Sequence, residues 1–123
     1  MSASATPVAG KLGDYVIEDA DAGTTVQYDV TGQGAGTLYG VRVDNTKNTV
    51  TSYIHFYDAT SGVTVGTTDP EYIFPAVAGK VMEAWAPDGS AFSTGISYAV
   101  TTSGGTAGTG APTSTVKVRL NAS

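Results

Sequence analysis

Cysteine is absent from the 123 residues, so neither disulfides nor thiol chemistry contributes and no redox compartment can be read from the chain. Histidine is nearly absent: His55 is the only one, and that count excludes a metal site that draws two or three histidines from one chain. Cations are few. Six Lys and Arg are spread thinly, against a formal net charge of −5, whereas a nucleic-acid grip needs clustered positive charge to neutralise phosphates, so no nucleic-acid partner is expected. Long apolar runs are missing too. No stretch approaches a membrane span, and the opening MSASATPVAGKLG has no apolar core of signal-peptide length, so no membrane partner is expected and synthesis in the cytoplasm is. The tail Asn121-Ala122-Ser123 matches a glycosylation acceptor only formally.

Catalytic signals are equally sparse. Acid-base or nucleophilic work by His55 would need an oriented carboxylate and a hydroxyl beside it, and no motif places them. The run EDADAG offers oxygens at Asp19 and Asp21 as a calcium loop would, but Val30 stands where the distal bidentate Glu belongs. Glu71 and Glu83 could form a hydrolytic pair only if the fold joined them. The glycines of GQGAGTLYG lead into a strand instead of opening a helix, and SGGTAGTGAPTS lacks the lysine of a phosphate-binding loop. The chain is therefore expected to be no enzyme, with no catalytic residue, metal or cofactor.

What is present is turn chemistry and β patterning. The chain holds 16 Gly and only 14% charged residues, yet 41% hydrophobic residues with three Phe, seven Tyr and one Trp, enough for a packed interior. Residues 1–13 are small, polar and unpatterned, which predicts an extended arm before one domain over residues 14–123. The acidic residues Asp14, Glu18, Asp19, Asp21 and Asp29 bunch at its start and read as a solvated face. After a short lead-in at residues 15–17, Val26, Tyr28 and Val30 alternate inward, then Tyr39, Val41 and Val43 with Arg42 outward. DNTKN and DATSG are turns. Pro70, Pro75 and Pro87 bracket two or three shorter strands, which proline confines to edges or ends. Ile96, Tyr98 and Val100 then point inward, SGGTAGTGAPTS is a long loop, and Val116-Lys117-Val118-Arg119-Leu120 alternates cleanly. Seven or eight short strands at this spacing predict an all-β, two-sheet β-sandwich, jelly-roll-like or immunoglobulin-like.

One strand does not fit a lone domain. Residues 50–57 would carry Val50, Ser52, Ile54 and Phe56 on one face and Thr51, Tyr53, His55 and Tyr57 on the other. A small domain buries one face, so the aromatic surplus predicts contact with another molecule through Tyr53, His55, Tyr57, Trp85 and Tyr72. Each such ring moved out of water contributes about 1.5 to 3 kcal/mol.

The pieces LYGVRVDNTKNT, YIHFYDATSG, TVGTTDP, PDGSAFSTGISYAVTT and the Thr/Gly loop before VKVRL resemble small β-rich virion proteins of tailed bacteriophages, over roughly residues 24–121. That resemblance implies a non-enzymatic structural protein, a capsid decoration or cement protein made in the host cytoplasm and placed on the capsid surface. Its implied partners are the major capsid protein or other virion proteins, and its implied state is a homo-oligomer, with a trimer favoured. A small tail, neck or baseplate component is the alternative, and a carbohydrate-binding β-sandwich module would show exposed aromatics as well. Contacts to neighbours are expected from residues 1–13 and from the loop at residues 103–114.

Overall fold

The segment that alternates most cleanly forms the centre of the larger sheet. In β8 (Val116–Ala122), Val116, Val118, Leu120 and Ala122 are buried while Lys117 and Arg119 face water. A computed structural model describes residues 3–7 and 13–123 and shows, with β8, the strands β1 (Ser4–Pro7), β2 (Tyr15–Ala22), β3 (Gly36–Asp44), β4 (Ser52–Asp58), β5 (Tyr72–Ala76), β6 (Val81–Phe92) and β7 (Ile96–Thr101). They form two antiparallel sheets, β1-β2-β8-β3-β6 and β5-β4-β7, and no helix occurs among the described residues. The protein is an all-β, two-sheet sandwich.

The core lies between the sheets. Ile17, Val41, Val43, Val118 and Leu120 from one sheet meet Ile54, Phe56, Tyr98 and Val100 from the other. Phe56 sits at the hub, 6.0 Å from Phe74, 6.4 Å from Phe92 and 6.2 Å from Tyr98 between ring centroids, all at steep angles. Such edge-to-face contacts add to the area that aromatic burial removes from water.

Several expectations need correction. The short lead-in at residues 15–17 is a full strand, β2, and its alternation carries an acid inward: Asp19 is buried. That is tolerated because both carboxylate oxygens are bonded, one by the Tyr98 hydroxyl at 2.7 Å and the other by the Asp21 amide at 3.2 Å. Burial first, and then that acidic partner, raise the Tyr98 hydroxyl far above its ordinary pKa. The predicted strand through Val26, Tyr28 and Val30 shrinks to one bridge, Gln27 opposite Tyr98. Asp29 adopts φ 45°, and its carboxylate accepts from the Gly34 amide, so the chain turns there and leaves Tyr28 exposed. The same segment nevertheless covers the free edge of β7, with Gln27, Val30 and Gly23 bonded to Tyr98, Ile96 and Val100.

Tyr39 does not point inward. Relative to β8, β3 holds one extra residue between Leu38 and Gly40, and this bulge gives the core position to Leu38 while Tyr39 is only half-buried. The proline expectations stand in part. Pro75 lies in β5, which is an edge strand, but Pro87 does not end a strand; it sits in a bulge of the long edge strand β6. Of the predicted arm, Ser4 to Pro7 pair antiparallel with Glu18 to Tyr15 of the same chain, and the rest apart from Ala3 and Gly13 lies outside the described residues.

Candidate binding surface

The predicted interface row on β4 is buried by its own chain. His55 and Tyr57 are each 1% exposed, and Tyr53 is half-buried, so in the single chain His55 and Tyr57 lie in the interior. Two loops seal that face. The 102–114 loop folds back through Thr102 N–H to Gly110 O (3.0 Å) and paired bonds between Ser103 and Thr109, and it brings Gly104 against the Tyr53 ring. The 59–71 loop meets it through Thr106 to Asp69 (3.1 Å) and is anchored by Tyr28, whose hydroxyl accepts from the Val63 amide at 3.0 Å. The loop expected to reach a neighbour therefore lies on its own domain.

His55 is held neutral there. The Thr101 hydroxyl donates to Ser103 O (2.7 Å), so the contact of Thr101 Oγ1 with His55 Nε2 (2.9 Å) assigns the ring proton to Nε2. Nδ1 is buried with no hydrogen-bond partner among the described residues, the ring stacks on Tyr57, and burial holds the imidazole pKa below its usual range.

Trp85 and Tyr72, the other two predicted residues, do come together. Both line a crevice of about 390 Å³ with Leu38, Tyr39 and Phe74. The crevice is made by the β6 bulge: Trp85 pairs with Gly40 and Ser90 with Leu38, so residues 86–89 loop out opposite Tyr39 alone. Gly89 lies so close over Thr37 and Tyr39 that a Cβ would come within 2.8 Å of the tyrosine ring, and its φ of 79° suits glycine. Gly40 lets the Trp85 indole lie across the backbone, since a Cβ there would stand 2.4 Å from the ring. Tyr72 crosses to β6 by a hydroxyl contact with Ser90 and stacks on Phe74 at 6.1 Å.

The apolar exposure continues along this side. β5 and β6 are edge strands of different sheets, joined by a short corner, and Tyr72, Val77, Val81 and Trp85 along them are each 40% to 57% exposed. Sequence reasoning missed Val77 and Val81; the signal was a Val-Ala-Gly-Lys-Val run, with valines flanking a turn that switches sheets. The corner is fixed by Asn45. Its backbone bonds Lys80 O and Gly79 N, and its side-chain amide donates to Val50 O (3.0 Å) and Ala76 O (2.9 Å). Its Oδ1 accepts from Asn48 and Ser52 at 2.9 and 3.1 Å.

On the outer face of the five-stranded sheet, Glu18, Arg119, Arg42 and Glu83 stand in one row across four strands. Among the described residues, no group of three or more His, Cys, Asp or Glu side chains could hold a metal, and no helix is long and apolar enough to cross a membrane. Comparison with protein-family models, with curated proteins and with solved structures gives no match.

Proposed function

We propose that this chain is a non-catalytic structural subunit of a tailed-phage virion, a decoration protein that stabilises the head shell by gripping the major capsid protein and further copies of itself. The reading is carried by one observation: the β5–β6 side bears Tyr72, Val77, Val81 and Trp85 exposed together along two edge strands. It is supported by the resemblance of residues 24–121 to small virion proteins. Each of these four side chains is already about half-covered, so completing its burial contributes about 0.8 to 1.5 kcal/mol, or on the order of 3 to 6 kcal/mol together. Association costs at least as much in lost freedom, so one such contact is weak alone. Copies held side by side on a shell, or joined as a trimer, raise the effective concentration and make weak contacts sufficient.

The test adds purified protein to head shells assembled without it and counts bound copies by electron microscopy. Wild-type chain is expected to saturate the shell, and a Val77→Asp, Val81→Asp variant to lose most of its occupancy. A shell that stays bare with wild-type protein, or fills equally with the variant, overturns the proposal.

A further inference from the structure

The outer face of the five-stranded sheet carries a charged row that shell adhesion does not use. Directly opposed residues on neighbouring strands have Cβ atoms about 4.5 to 5.5 Å apart, and like charges so placed repel. Arg42 and Arg119 are opposed in this way, with Glu83 beyond one and Glu18 beyond the other. The adjacent row runs Val16, Asn121, Gly40, Trp85. Between the rows a crevice of about 360 Å³ opens, lined by Glu18, Arg42, Glu83, Trp85, Arg119 and Asn121 among others. Trp85 presses across Gly40 and remains 54% exposed, so part of the indole faces this crevice uncovered.

The charge order, acid-base-base-acid, narrows the occupant. Its sum is zero, so a polyanion gains little. A second copy docked face to face about a two-fold axis along the row, or across it at its centre, would set Arg over Arg and Glu over Glu, which is repulsive. A peptide strand would need free backbone groups, and these lie at the sheet edges instead of on its face. A sugar ring meets every condition. Its C–H face packs on an indole, and its hydroxyls, being donors and acceptors at once, bond planar Arg, Asn and carboxylate groups together.

We propose that this face is a saccharide-binding site, with a sugar ring stacked on Trp85 and its hydroxyls held by Arg42, Glu83 and Asn121. The site shares Trp85 with the shell-gripping side, but its polar contacts, Arg42, Glu83 and Asn121, belong to the sheet face and not to the Val77–Val81 corner. Trp85 is the only tryptophan, so its fluorescence reports the site directly. The full chain is titrated with cellohexaose, xylohexaose, chitohexaose and, as the charged comparison, hexagalacturonate. A saturable change with at least one of the three neutral sugars is expected, and a change with hexagalacturonate alone overturns the proposal. Arg42→Ala and Glu83→Ala, which keep the reporter, should each weaken binding roughly tenfold, and Trp85→Phe, followed by calorimetry, should weaken it as well. No saturable change with any of the three neutral sugars overturns the proposal, as does unchanged affinity in Arg42→Ala and Glu83→Ala. The Val77→Asp, Val81→Asp variant should bind sugar normally, so the two proposals fail separately.

Discussion

Replacing Asn45 with alanine should unfold the corner on which Val77 and Val81 are displayed. Its side chain makes four hydrogen bonds within 3.1 Å, to Val50, Ala76, Asn48 and Ser52, and Asn45 itself is fully buried. Truncation leaves two carbonyl oxygens and two donors short of a partner where little water can reach. An unsatisfied buried group costs about 1 to 3 kcal/mol, but the cavity admits some relaxation, so a total of about 3 to 5 kcal/mol is expected. Domains of this size are stable by roughly 5 to 15 kcal/mol, so the loss is a large share of the whole. It corresponds to a fall in Tm of about 10 to 20 °C. Urea and thermal unfolding followed by circular dichroism would measure it. Ser52→Ala, which removes one donor, should cost about 1 kcal/mol, and the double variant should lose less than the sum because both act through the same Oδ1. A loss below about 1 kcal/mol for Asn45→Ala would refute the assignment of this network as the corner's anchor.

Three further outcomes follow from the same structure. His55 titrates below its unfolded value because it is buried, so the unfolded chain binds the extra proton first; stability should be full above about pH 6.5 and fall as pH drops toward the folded pKa, and His55→Phe should remove that slope in pH-dependent urea titrations. Asp58 is pushed up by partial burial, but bonds from Ser93, Thr94 and Gly95 outweigh this and hold it below the usual carboxylate range; Asp58→Ala should cost about 1 kcal/mol at neutral pH, an amount that vanishes as acid protonates the native carboxylate. Gly40→Ala should displace the Trp85 ring with little loss of stability and shift its emission to the red, and an unchanged spectrum would contradict the contact.

The β8 strand, the edge position of β5 and the turns at DNTKN and DATSG were legible because each rests on a local rule: period-two alternation, the missing amide of proline, or the backbone preferences of Asn, Asp and Gly. The Tyr39 bulge was not, since one extra residue in a ladder is set by the pairing strands and leaves no mark on composition. The sealed face of β4 was not legible for a related reason. Thr- and Gly-rich loops have no periodicity, so nothing in SGGTAGTGAPTS announces that it closes over His55 and Tyr57, and the surplus of aromatic rings on β4 was assigned to a partner that the chain itself supplies. The exposure of Trp85 and Tyr72 was legible, because the chain has more aromatic rings than one small interior can hold. The charged row required strand order, which no residue reveals before the sheet is known.

Amide hydrogen exchange on the free chain and on the shell-bound chain tests the central claim most directly. The β4 amides should exchange slowly in both states, because that strand lies between two others under its own loops, while protection gained on the shell should concentrate in residues 72–92. Rapid exchange across β4 in the free chain, with protection gained there and in the 102–114 loop on binding, would contradict it.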